Sequence, residues 1–258
     1  MSLLEVQQLR VSADDKLLLR DVDVSLSAGQ VAAVIGPNGA GKTTLLKGIC
    51  NDIPASGQVV FAGQPLLQWA AAERARKMAV LSQQNSLAFA FTGAEVVSLA
   101  RGPHSTGASI DSQICIEAMA AMDVLHLSAR LYPTLSGGEQ QRLQLARVLA
   151  QIWRAEDAGE RLLLLDEPVT SLDIGHQHQL MRAVREFAAS GVAVLMTVHD
   201  ITLAAAHCDH MLVLHEGKCV ASGTPEQVVT EALLAEVFAT DVRVIAHPDT
   251  GKPIVVAQ

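Results

Sequence analysis

Apolar residues follow two rhythms along this chain. Residues 31–35, 162–165 and 192–198 are short, unbroken and largely aliphatic runs. Such runs are expected of central strands in a parallel sheet, because strands buried on one face alternate instead. Elsewhere the apolar positions keep helical spacing. Residues 43–49 follow the first run as a predicted helix. Ile114, Ala118, Met122 and Leu125 recur at steps of four, four and three, which predicts one apolar helix face. Leu180, Val184, Phe187 and Ala188 repeat the period after Gly175, with Gly191 placed to end that helix. Residues 211–214 and 219–221 flank Glu216-Gly217-Lys218, a hairpin signal. Residues 242–245 and 254–256, on either side of His247-Pro248-Asp249-Thr250-Gly251, predict a second hairpin. Strand runs alternating with helices predict the α/β class, with a mainly parallel sheet covered on both faces and a small helical lobe at about residues 86–155.

Composition narrows the classes. The 258 residues suffice for one large domain, or one domain with a small lobe. Long charge-free stretches such as residues 24–41 are broken by Gly, Pro, Asn and Gln, so no segment of ~20 apolar residues is available to span a bilayer. No basic start followed by an apolar block marks a secretory signal, and a cytosolic location is expected. The net charge of −8 opposes general nucleic-acid binding, because phosphate backbones repel an acidic surface. Cys50, Cys115, Cys208 and Cys219 form neither a CxxC pair nor a zinc spacing, and are expected as reduced, mostly buried thiols.

Two stretches carry chemistry. Gly36-Pro37-Asn38-Gly39-Ala40-Gly41-Lys42-Thr43 fits the Walker A pattern and lies between a strand run and a helix. The glycines let the backbone curl so that successive N–H groups face phosphate oxygens, and the positive end of the helix adds to the attraction. Lys42 supplies a point charge for the β- and γ-phosphates, the Thr43 hydroxyl is suited to Mg²⁺, and Thr44 completes the nucleotide-binding set. The leucine run 162–165 ends in Asp166-Glu167, which delivers two carboxylates to the C-terminal edge of a sheet, where open α/β sheets bind ligands. Asp166 is the candidate Walker B acid that holds the metal. Glu167, pointing the other way, is the candidate general base for an attacking water.

Leu135-Ser136-Gly137-Gly138-Glu139-Gln140-Gln141-Arg142 opens a helix with a hydroxyl and free N–H groups suited to a phosphate. This string resembles the signature sequence of ABC ATPases. Gln83, Ser171-Leu172-Asp173 and His199 match the family's Q-loop, D-loop and switch histidine in order, so that the resemblance covers about residues 3–234. It implies a P-loop NTPase core with an N-terminal antiparallel β portion and a small helical subdomain. The whole of 1–258 would be one ABC ATPase domain, with its core at about 1–85 and 156–258 and its lobe at about 86–155. Gly36 to Thr44 would hold ATP, with Mg²⁺ on Thr43, Gln83 and Asp166. Ser136, Gly137 and Gly138 of a second copy would close over the γ-phosphate, and Glu167, His199 and Gln83 would serve catalysis. The implied partners are a second copy, two copies of a transmembrane permease and, indirectly, a periplasmic substrate-binding protein, with no nucleic acid. The implied place is the cytoplasmic face of the bacterial inner membrane, as a peripheral subunit.

Within the family the chain looks most like ATPases of metal-chelate importers. Residues 150–161, residues 242–253 and Gly175-His176-Gln177-His178 resemble haem-importer ATPases. Haem uptake is therefore expected, with a siderophore or cobalamin importer, and more remotely a soluble non-transport ABC ATPase, as alternatives. His176 and His178 stand two apart on a predicted helix and share no face, so surface positions are expected rather than haem ligands. Ala88-Phe89-Ala90-Phe91 lies where family members receive a short helix from the membrane subunit. One departure concerns the base. Family members often stack an aromatic ring on adenine ahead of Walker A, yet no Phe, Trp or Tyr precedes Phe61, and residues 11–15 offer only Val11 and Ala13. Stacking contributes ~1–3 kcal/mol in nucleic-acid systems, so modest selectivity between ATP and GTP is expected.

Overall fold

The computed structural model describes residues 2–13, 16–83 and 90–257. Its contacts divide the chain into two units, Met1–Leu66 with Ala193–Gln258, and Leu67–Val192. In the first unit, Lys16–Ser27, Ser2–Ala13, Ala55–Phe61 and Gln64–Pro65 form an antiparallel sheet in that spatial order. Along Lys16–Ser27, Leu19, Val22, Val24 and Leu26 are buried while their neighbours face out, the alternation of a one-sided strand. This is the N-terminal antiparallel portion that the family resemblance implied.

A second set of strands in the same unit is parallel. Val31–Ile35 lies between Val192–Thr197 and His210–His215, parallel to both, and all five of its residues are buried. That double-sided burial is why its sequence is continuously aliphatic. Lys218–Gly223 returns antiparallel to His210–His215 through Glu216 and Gly217, whose φ values of 47° and 76° belong to a tight mirror-image turn. The second predicted hairpin is present as Val242–Ala246 and Pro253–Ala257.

In the second unit Met78–Leu81 runs parallel to Arg161–Leu165, with Leu81 opposite Leu165. The helices Gly93–Ser98, Ala108–Ala121, Gly137–Gln151 and Ile174–Ala189 accompany them. On Ala108–Ala121 the residues Ile114, Cys115, Ala118 and Met119 are buried. The predicted apolar face was one position too long. The helix ends at Ala121 with Met122 as its cap, Asp123 takes a left-handed φ of 53°, and Leu125 begins a separate turn where it is 40% exposed. Ile174–Ala189 buries Leu180, Val184, Phe187 and Ala188 as predicted. Gly191, at φ 94°, donates its N–H to Ala188 O at 2.8 Å just past the end of that helix.

Two buried arginines tie the second unit together. Arg161 donates to the carbonyls of Ile152, Trp153 and Ser190. Arg101 pairs with Asp111 and Asp157 and caps Ala150 O, satisfying an orphan carbonyl of the helix Gly137–Gln151. Cys50, Cys115 and Cys208 are buried, Cys219 is partly so, and none of the four is in a disulfide. Among the described residues no helix is long and apolar enough to cross a membrane.

Candidate active site

In the first unit, register sets the site. Val34 stands opposite Thr197, and Val198 N–H donates to Val34 O. Two residues beyond that rung, Gly36 and His199 emerge at the same edge of the parallel strands. Gly36 has φ 149°, and a Cβ there would lie 2.1 Å from Leu214 O, a backbone atom that cannot yield. The loop can therefore pass the neighbouring strand only with glycine at this position. Gly39, at φ 80°, faces open space, so its requirement is conformational alone. The helix Lys42–Cys50 follows at once. Lys42 is buried, and its Nζ donates to Gly36 O at 2.8 Å and Pro37 O at 3.2 Å, so the ammonium lies across the loop that precedes it. Asp200, next to His199, caps the helix Ile201–His207 by accepting Leu203 N–H at 2.9 Å.

The second unit repeats this logic. Asp166 N–H continues the ladder to Leu81 O at 2.8 Å, and Gln83 and Glu167 lie beyond that rung. Gln83 Nε2 donates to Glu167 Oε2 at 3.2 Å, and Thr170 Oγ1 donates to the same oxygen at 3.3 Å. Asp166 is buried while Glu167 is partly open. Glu167 has φ 51°, an uncommon conformation for a residue with a side chain, and Ser171 repeats it at 71°. Of the predicted residues in this unit, Gln83 and Glu167 are thus brought into direct contact. Thr170, which the sequence did not single out, joins them.

Ser136 caps the helix Gly137–Gln151. Its hydroxyl accepts Glu139 N–H, while the Glu139 carboxylate accepts the Ser136 N–H at 2.7 Å. The bond from the Ser136 N–H foremost, and then the Ser136 hydroxyl donating to the same carboxylate oxygen at 2.8 Å, hold the Glu139 carboxyl below its usual range. Ser136, Gly137 and Gly138 line a cavity of about 470 Å³ together with Arg142 and the segment 171–173. Neither Gln83 nor Glu167 lines it. A Cβ at Gly138 would sit 3.3 Å from both Leu172 Cδ2 and Ser171 O, so the turn 171–173 packs directly on the start of the helix. His176 also lines this cavity, and its Nδ1 is 2.8 Å from Asp173 Oδ2. Asp173 caps the next helix through His176 N–H, and these two bonds hold its carboxyl low. His176 lies at the surface, as expected, with its side chain 38% exposed. Of the stretch 88–91, Ala88 and Phe89 lie outside the described residues, as do Asp14 and Asp15 of 11–15, while Phe91 O accepts Tyr132 N–H at 2.8 Å.

The profile of the ABC transporter family matches residues 19–170, more than half of the chain. The chain belongs to the ABC transporter family. Among the relatives of this ABC ATPase is the Hemin import ATP-binding protein HmuV of Pseudomonas putida, 47% identical over 257 residues, which cover 99% of this chain and 100% of that protein. The protein of that name from Gloeobacter violaceus is 48% identical, over 98% of this chain and 94% of its own. Among solved structures, an ABC transporter in an inward-facing conformation aligns over 100% of this chain and 98% of its own, with a TM-score of 0.81 and 23% identity. The ADP form of MJ1267, an ATP-binding cassette of an ABC transporter, aligns over 93% of this chain and 99% of its own, at a TM-score of 0.79 and 22% identity. At those identities the two structures establish the fold of the ABC ATPase and no more.

Proposed function

We propose that this ABC ATPase is the motor subunit of an importer that takes haem (hemin) across the bacterial inner membrane. The observation that carries the reading is likeness along the full length, at 44–48% identity, to proteins named for hemin import. The working form is a homodimer on the cytoplasmic face of the membrane, joined to two permease subunits and served by a periplasmic binding protein.

In this reading residues 36–44 hold the phosphates of ATP, and Lys42, already lying across the loop, turns its charge to the β- and γ-phosphates. The Thr43 hydroxyl, the Gln83 amide oxygen and the Asp166 carboxylate are all hard oxygen donors, the set that suits Mg²⁺. When bound, that ion neutralises charge on the β- and γ-phosphates. Glu167, its carboxylate oriented by Gln83 and Thr170, takes the proton from the attacking water. His199 supports the charge that develops on the departing phosphate, and Ser136, Gly137 and Gly138 of the second copy cover the nucleotide. The single ABC domain of 1–258 divides into a core at about 1–85 and 156–258 and a helical lobe at about 86–155.

Cargo selection resides in the membrane and periplasmic partners. The test is ATP hydrolysis by the subunit assembled with its permease and binding protein. Hemin is expected to raise the rate, and ferric siderophores and cobalamin to leave it at the basal level. Stimulation by one of those chelates and not by hemin overturns the cargo.

A further inference from the structure

The segment from Glu167 to Asp173 carries two left-handed residues that are not glycine, Glu167 at φ 51° and Ser171 at φ 71°. Such conformations persist only where the surroundings determine them, and they concentrate where a backbone must present a reacting group. Here three side chains from outside the turn grip it. Gln141, on the helix that begins after Ser136, directs Nε2 at Pro168 O (3.2 Å) and Glu167 O (3.5 Å). Gln177, on the helix Ile174–Ala189, directs Nε2 at Leu172 O (3.1 Å) and Val169 O (3.5 Å). His176 closes the far end on Asp173. The two amides thus spend their donors on carbonyls at either end of the turn that carries the base.

From this juxtaposition we infer that Gln141 and Gln177 are positioning residues for hydrolysis, and that Gln141 couples the signature helix to the main chain of the general base Glu167. The inference rests on the proposed role of Glu167. A displacement of the helix Gly137–Gln151 pulls on the Glu167 and Pro168 carbonyls through one side chain, so the seating of Ser136, Gly137 and Gly138 and the aim of Glu167 change together. The chemistry is one of donors alone. A glutamate at 141 keeps the shape and offers an acceptor to two carbonyl oxygens, whereas a methionine keeps the length and offers neither charge nor donor.

The experiment measures ATP hydrolysis against ATP concentration for the full chain reconstituted with its permease, as wild type, Gln141→Met, Gln141→Glu and Gln177→Met. Misplacing a catalytic group by about 1 Å costs roughly 100-fold, so a loosened base predicts a kcat lower by roughly 10- to 100-fold. The KM for ATP stays within about twofold, because the phosphate loop is untouched. Gln141→Glu is expected to fall at least as far as Gln141→Met while still retaining ATP, which separates a misplaced base from a misfolded chain. Wild-type kcat in either Gln141 variant, or a loss that appears in KM instead of kcat, overturns the inference. A wild-type complex that splits no ATP overturns the proposed function beneath it, a result recognisable before any variant is compared.

Discussion

Glu167 combines a partly open carboxylate, two donors on one oxygen and a left-handed backbone. Each feature alone has a structural explanation. Together they fix the direction of the carboxylate in advance, as the proposed role of general base requires. Replacement by glutamine keeps the size and the ability to meet Gln83 and Thr170 but removes the proton acceptor. Glu167→Gln is therefore expected to lower kcat by roughly 100- to 10,000-fold with ATP still bound, as followed by turnover and by nucleotide retention on the purified subunit. Turnover at the parent rate would remove Glu167 from this role. Gly36 shows a different kind of constraint at the same scale. A Cβ there would meet the Leu214 carbonyl, and φ is 149°, so the first glycine of the loop is required by strand packing and by backbone conformation together.

At the scale of elements, the starts of the helices Gly93–Ser98 and Gly137–Gln151 rest on reciprocal caps that use a glutamate, Thr92 with Glu95 and Ser136 with Glu139. Backbone and hydroxyl bonds from the capping residue lower the titration of both carboxyls. Their contribution to stability is complete above the ordinary glutamate value of 4.5 and is lost as pH falls through the lower native values. The expected outcome is a thermal midpoint that drops on acidification below that value, and drops less steeply in Glu139→Gln; equal slopes would contradict the cap's share. The sequence displayed much of this level. The aliphatic runs at 31–35, 162–165 and 192–198 became parallel strands, because double-sided burial leaves no alternation to misread. The hairpin at 211–221 was visible in Glu216-Gly217. The end of the helix at Ala121 was not, because the left-handed Asp123 that turns the chain carries no glycine or proline signal. The turn 167–173 was hidden for a related reason. Its carbonyls accept from Gln141 and Gln177, and an amide that reaches a distant carbonyl leaves no period in the sequence. The contact of Gln83 with Glu167 joins two strand ends far apart in the chain, and only the register of Met78–Leu81 with Arg161–Leu165 reveals it.

At the scale of the whole molecule, no described helix offers a membrane span, and an importer ATPase must deliver its work through a partner. The absence of an aromatic residue before Phe61 bears on what fuels that work. Without a ring to stack on adenine, up to ~1–3 kcal/mol of base recognition is lost, and GTP is expected to be hydrolysed nearly as well as ATP in side-by-side turnover. A strong preference for ATP would show that the base is recognised by other contacts. Haem import is tested most directly by uptake of hemin into sealed vesicles that carry the permease, with the binding protein outside and this subunit and ATP inside, on the cytoplasmic side. Accumulation is expected to require ATP and to disappear with Glu167→Gln in place of the parent chain. Accumulation that proceeds equally with the Glu167→Gln subunit, or no accumulation with the active one, would contradict it.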